Sequence, residues 1–225
     1  MQNLYVCLLF VKTPEKGMVK SRLAEAIGED ITLSLYKSFV LDIVRRLKDY
    51  NLKIYFYPPD SGEESINWIG NNLEYIPQRG DDLGERMKNA FLQSFYDGLN
   101  RVLIIGSDLP DLKESMIQEA FTSLDIHDAV IGPSFDGGYY LIGFRNDTFH
   151  PGIFHGIRWS TESVFRETMK VFNELRYRVH VLPFCRDVDT LDDLQSLFSR
   201  NENTDFRESL TMLFMLNNKH KIFCR

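Results

Sequence analysis

Leu4-Tyr5-Val6-Cys7-Leu8-Leu9-Phe10-Val11 is apolar at every position. That pattern belongs to a strand buried on both faces of a sheet, not to one that shows alternate residues to water. A helical stripe follows at Tyr36, Phe39, Val40, Ile43, Val44 and Leu47, and then a β-rich run, Lys53-Ile54-Tyr55-Phe56-Tyr57, stops at Pro58-Pro59. Proline lacks the N–H that a ladder needs, so the strand ends there. The chain therefore opens as a βαβ unit.

The same alternation continues outward. Leu83, Met87, Phe91 and Phe95 make one helical face behind Asp82-Leu83-Gly84-Glu85, which has the spacing of a capping box with Asp82 as cap. Residues 101–105 form the next short buried strand. Residues 129–131 and 139–144 read as two strands joined by Gly132-Pro133-Ser134-Phe135-Asp136-Gly137-Gly138. That link is too short for a helical crossover, so the two run antiparallel or lie apart in the sheet. A helix over 160–175, a strand over 178–184 and a helix from Thr190, capped by Thr190 with Asp193, complete an α/β chain with a mixed, mainly parallel sheet. Residues 1–200 are expected to form one domain, with 201–225 as a helical C-terminal extension that either covers the sheet or pairs with a second subunit.

Among 225 residues, 26 Lys and Arg face 32 Asp and Glu, a formal charge of −6. A general nucleic-acid binder needs the opposite excess to replace phosphate counterions. No apolar run approaches the roughly 20 residues of a membrane span, and no basic n-region precedes the first strand. Cys7, Cys185 and Cys224 are too few and too scattered for a disulfide framework or a zinc site. A cytoplasmic protein, monomeric or homodimeric, is expected.

Open α/β sheets bind ligands beyond the carboxyl ends of their strands. After the first strand come Lys12, Lys16, Lys20 and Arg22 against Glu15: a phosphate site, because cations and free helix N–H groups stabilise oxyanions, or a solvated loop with incidental lysines. After the strand at 101–105, Gly106-Ser107 presents Asp108 at the sheet edge, while Asp111 reads as a helix N-cap. Near the end, Asp187 and Asp189 share one side of an extended segment.

Phe10-Val11-Lys12-Thr13-Pro14, Gly80-Asp81-Asp82-Leu83-Gly84-Glu85-Arg86-Met87, Gly106-Ser107-Asp108-Leu109-Pro110-Asp111-Leu112, residues 132–143, Trp159-Ser160-Thr161 and Asp187-Val188-Asp189-Thr190 occur in that order. Together, over about residues 3 to 200, they resemble a prokaryotic family of glycosyltransferase-like proteins, once a domain of unknown function and often called radical-SAM/selenodomain-associated transferase type one. That family looks like the nucleotide-diphospho-sugar transferase superfamily, with a GT-A-like three-layer α/β/α sandwich. It is also similar to guanylyltransferases of phospholactate and molybdopterin cofactor synthesis.

The resemblance implies Mg²⁺ or Mn²⁺ between Asp108 and Asp189, with Asp108 and Asp136 as catalytic carboxylates. Lys12, Lys20 and Arg22 would contact phosphates, and Gly80, Asp82, Leu83, Gly84 and Arg86 would hold base or ribose. Gly137, Gly138 and Tyr139 would face the acceptor or sugar, with Asp136 either a base or a turn cap. Trp159, Ser160 and Thr161 join the acceptor side, or else serve as a core residue and an N-cap. The expected reaction is metal-dependent transfer from a nucleotide-activated donor, foremost a nucleotide sugar, to a small acceptor. Nucleotidyl transfer with release of pyrophosphate and a non-catalytic nucleotide-binding module are the alternatives. Two departures from the pattern are the Lys-rich loop after strand one, where nucleotidyltransferases carry a Gly-rich one, and Leu191, where the family has Pro.

Overall fold

The computed structural model describes residues 4–223. Strand β1 (Tyr5–Lys12) splits its side chains between two cores. Cys7, Leu9 and Val11 enter one hydrophobic cluster, and Val6, Leu8 and Phe10 enter the other. Strand β4 (Arg101–Gly106) repeats the division, with Leu103 and Ile105 on the first face and Val102 and Ile104 on the second. Because successive strand residues point to opposite faces, a continuously apolar strand requires a helical layer on each side.

Seven strands make one sheet in the order β3-β2-β1-β4-β6-β5-β7. Strands β2 (Leu52–Tyr57), β3 (Glu74–Pro77), β5 (Ala129–Pro133) and β7 (Val179–Val181) run with β1 and β4, and only β6 (Tyr139–Arg145) is reversed, antiparallel to both β4 and β5. Of the two arrangements that the short 132–138 link allowed, the structure takes the antiparallel pair. β3 was not foreseen, because its four partly exposed residues carry little periodic signal.

The helices are α1 (Ser21–Ile27), α2 (Glu29–Arg46), α3 (Gly62–Ile69), α4 (Leu83–Tyr96), α5 (Glu114–Ser123), α6 (Val164–Glu174), α7 (Leu191–Asn201), α8 (Leu210–Asn217) and α9 (Lys219–Phe223). Buried residues of α2, α5, α7 and α8 join the first cluster, and those of α4 and α6 the second. The result is an α/β/α sandwich. The second core is aromatic: Phe91 of α4 meets Phe144 edge-on at 5.0 Å between ring centroids, a preferred quadrupole arrangement.

Two local readings hold and three change. Asp82 caps α4 by accepting from Glu85 N (2.8 Å), and Thr190 and Asp193 form a reciprocal capping box at α7. Helix α6 begins at Val164 with Ser163 at its N-cap instead of at residue 160, and Ser160 takes a left-handed φ of 63° in the loop before it. β7 is shorter than the predicted 178–184; Leu182 and Cys185 still bond to Ile131 and Pro133 carbonyls, but Pro183 has no N–H to donate. Asp111 is not an N-cap: it receives a two-pronged bond from Arg200 (2.7 and 2.9 Å) and one from Asn201 (2.8 Å).

Helix α8 lies on α2 of the same chain. Asp42, buried in α2, accepts from the N–H groups of Leu210 (2.9 Å) and Thr211 (2.8 Å), while Ser209 accepts from Met212 N. Three of the otherwise orphaned N–H groups of α8 are satisfied this way. Asp42→Ala should therefore cost about 2 kcal/mol, the scale of lost bonds to a charged acceptor. Urea denaturation measures it, and an unchanged midpoint would contradict this role.

Among the described residues no helix is long and apolar enough to cross a membrane. Cys7 and Cys185 are free thiols, and Cys224 lies outside the described residues.

Candidate active site

Every parallel strand sends its carboxyl end toward one cleft. β1 ends at Lys12, β2 at Tyr57, β3 just before Gln78, β4 just before Ser107 and Asp108, and β5 just before the turn holding Asp136. The cleft has a larger lobe of ≈ 690 Å³ and a smaller one of ≈ 350 Å³, joined along Lys12, Gly106, Asp108 and Asp189. Both are of small-molecule size.

Asp108 and Asp189 lie 81 positions apart in sequence, yet the backbone joins their loops: Val188 N donates to Asp108 O at 2.9 Å. The cation between them is a side chain. Lys20 Nζ sits 2.6 Å from Asp108 Oδ1 and 2.6 Å from Asp189 Oδ1. Burial alone would push this lysine down, but the two carboxylates overcome it and hold the ammonium above the ordinary lysine range. Lys20 takes a left-handed φ of 51°, and of three non-glycine residues in that region among those described, two, Lys20 and Ser160, line the smaller lobe. Such conformations cost about 1–2 kcal/mol per residue and collect at functional sites.

One carboxylate oxygen each from Asp136, Asp187 and Asp189 can be chosen within 4.8 Å of one another. Burial first, then the negative charges of Asp136 and Asp189, push Asp187 up to about 7. Three crowded carboxylates form a hard-oxygen donor set of the kind that suits Mg²⁺ or Mn²⁺. The residues fit such a cation, with Asp189 common to this trio and to the Lys20 bridge. Asp136 is also a turn cap: Ser134 Oγ and Gly138 N (2.8 Å) both donate to its Oδ1, which leaves Oδ2 clear of those bonds.

The remaining expected residues divide into two groups. Lys12 and Arg22 line the larger lobe, and neither has a carboxylate partner among the described residues. Leu83, Gly138, Tyr139, Trp159, Ser160 and Thr161 line it too. Arg86 lines the smaller lobe, its guanidinium 4.2 Å from the Tyr57 ring centre. Lys16 turns away to Asp30 (2.5 Å).

Gly80, Asp82 and Gly84 are not on the cleft wall. They shape the start of α4, where a Cβ on Gly84 would lie 2.5 Å from the Trp159 indole. Asp187, paired with Asp189 by its spacing, lines the larger lobe, and residues beyond those expected also reach the cleft: Gln78, Tyr57 and Tyr36 in the smaller lobe, Glu162 in the larger. Tyr36 had read as a core position of α2. Its hydroxyl accepts from Lys12 N (3.0 Å) and also lies within bonding distance of Ser107 Oγ (3.1 Å), so it ties the ends of β1 and β4 together. Gln78 follows β3 directly, and recognising that strand would have pointed to it.

A seven-stranded, mainly parallel sheet with one reversed strand and a cleft over its carboxyl ends defines a GT-A-like, nucleotidyltransferase-type α/β fold. The chain belongs to the family described as "Uncharacterized protein conserved in bacteria (DUF2064)", whose profile matches residues 40–161. It is 42% identical to a candidate nucleotide-diphospho-sugar transferase from Desulfovibrio desulfuricans G20 of known structure, over 98% of this chain and 97% of that one, with a TM-score of 0.95. It is also 23% identical to 2-phospho-L-lactate guanylyltransferase of Methanocaldococcus vulcanius, over 87% of this chain and 85% of the relative. The Mycobacterium tuberculosis H37Rv protein Rv0371c, solved with manganese, shares the fold at 14% identity and a TM-score of 0.54, over 87% of this chain and 98% of that one.

Proposed function

We propose that the protein is a cytoplasmic, metal-dependent transferase that uses a nucleotide-activated donor, specifically a glycosyltransferase acting on a nucleotide sugar. The observation that carries this reading is the pairing of opposite demands in one cleft: Lys12 and Arg22 lack anions, while Asp136, Asp187 and Asp189 crowd together. A diphosphate satisfies the first demand and a divalent cation the second. Mg²⁺ or Mn²⁺, held by Asp187 and Asp189 with Asp136 beside them, would supply electrostatic stabilisation of charge on a departing nucleoside diphosphate.

The chain's own residues do the rest. Lys12 and Arg22 neutralise phosphate oxygens, and Lys20 keeps Asp108 and Asp189 together and offsets one of their two negative charges against the donor. An acceptor hydroxyl attacks the sugar carbon as its bond to the diphosphate oxygen breaks, and its proton passes to the free oxygen of Asp136. The smaller lobe, with Tyr57, Gln78 and Arg86, takes the base.

A second reading, nucleotidyl transfer, is favoured by the guanylyltransferase relatives, which match 83–87% of this chain. The loop at 13–20 speaks against it, with one glycine among eight residues. Product analysis decides. Incubation with Mg²⁺, a nucleotide-sugar panel and mixed acceptors should release nucleoside diphosphate; release of pyrophosphate from a nucleoside triphosphate would establish the second reading instead.

A further inference from the structure

Phe135 and Phe184 are 65% and 51% exposed, although phenylalanine ordinarily hides. They come from different segments, the β5–β6 turn and the stretch after β7, and are brought together by the bond from Phe135 N to Cys185 O (3.1 Å). Their ring centroids are 5.7 Å apart, and Phe165 stands edge-on to Phe184 at 5.7 Å. The patch is continuous with the cleft. A side pocket of ≈ 210 Å³, lined by Phe135, Arg186, Arg22 and Asp193, shares Asp136, Asp187 and Asp189 with the larger lobe.

The charge of this pocket limits what it can take. Two arginines face Asp136, Asp187, Asp189 and Asp193, and a divalent cation held by the acidic trio would be shared with the donor's diphosphate. Arg186 is already committed, to Asp193 at 3.2 Å and across the Phe135 ring at 5.8 Å. With Arg22 facing the donor diphosphate in the reading above, a phosphorylated or carboxylated acceptor finds no uncommitted cation here. A neutral ring with hydroxyl groups needs none, and its apolar face can cover the exposed phenylalanines.

We infer that Phe135 and Phe184 form the acceptor subsite, and that the acceptor is an uncharged, hydroxylated ring compound, a glycoside with an apolar or aryl face, placed with a hydroxyl beside Asp136. This rests on the transferase reading above and separates this chain from relatives named for a phosphorylated acid.

Ligand-observed NMR on the full chain, with GDP and Mg²⁺ present, tests it using p-nitrophenyl β-glucoside against glucose 6-phosphate, and calorimetry follows GDP itself. The aryl glucoside should bind saturably and the sugar phosphate should not. Phe135→Ala with Phe184→Ala should weaken the glucoside by about tenfold, the scale of two lost aromatic contacts, with GDP affinity and melting temperature unchanged. The inference fails if the glucoside does not bind, if it binds the double variant equally, or if glucose 6-phosphate binds more tightly. It also fails if the double variant changes only the oligomeric state, which would make the patch a subunit contact. Glucoside binding without any GDP binding would leave the subsite standing and count against the transferase reading alone.

Discussion

Asp187→Asn and Asp189→Asn are each expected to weaken metal-dependent binding of a nucleoside diphosphate by at least about 25-fold, while Asp187→Asn makes the metal-free protein more stable. The loss follows from removing one charged partner of a partly buried cluster, about 2–5 kcal/mol where such pairs have been cut, with 1.4 kcal/mol per tenfold. The gain follows from repulsion. Asp187 is pressed by Asp136 and Asp189, and its own charge is disfavoured by burial, so a neutral amide of the same shape relieves both. Relief of about 1 kcal/mol corresponds to about 2–4 °C in a chain of this size. Opposite signs in affinity and stability are what a binding site held under repulsion predicts. Calorimetry with and without Mg²⁺ measures the first, and melting in chelator the second. If Asp187→Asn retains tight metal-dependent binding, the trio does not hold the cation. If Asp189→Asn instead weakens binding equally with and without metal, its role is confined to the Lys20 bridge.

The second large effect concerns backbone. Gly137 holds φ at +90°, and a Cβ there would fall 2.1 Å from the carbonyl oxygen of Glu162 and 2.6 Å from its carbon. Neither atom belongs to a side chain that can swing aside. Left-handed strain of about 1–2 kcal/mol adds to an overpacking cost of about 1–3 kcal/mol, so Gly137→Ala should lower stability by about 2–5 kcal/mol. The damage should reach the site, because Gly137 O accepts from Phe165 N (2.8 Å) and the same turn carries Asp136. Gly138→Ala is the control: its nearest neighbours are side-chain oxygens of Asp136 and Ser134 at 3.2 and 3.3 Å, which can shift. Thermal melting of both variants would refute the argument if the two dropped equally.

Several parts of this site could be read directly from residues. Asp187 and Asp189 share a side of an extended segment, as their spacing requires, and both line the larger lobe. Asp82 and Thr190 cap their helices because a cap depends on three or four neighbouring residues. Asp111 and Ser160 show where the same logic stops. Helix α5 starts at Glu114 with Lys113 at its N-cap, so Asp111 falls outside the cap position, and its carboxylate is taken by Arg200, 89 positions away. Ser160 lies in the loop at the cleft with a left-handed φ, and Ser163 stands at the N-cap of α6 instead.

The amino-acid sequence by itself determined the layered α/β architecture, since a strand apolar at every position must be covered on both faces, and it determined which strand ends carry charge. Tertiary structure alone decided what those charges do. Lys20 became the bridge between Asp108 and Asp189 instead of a free phosphate ligand, and Asp136 joined the acidic trio, because the sheet order and the Val188–Asp108 backbone bond bring distant loops within ångströms. Periodicity and capping are local and legible along the chain; the distance between two charges depends on every turn that separates them.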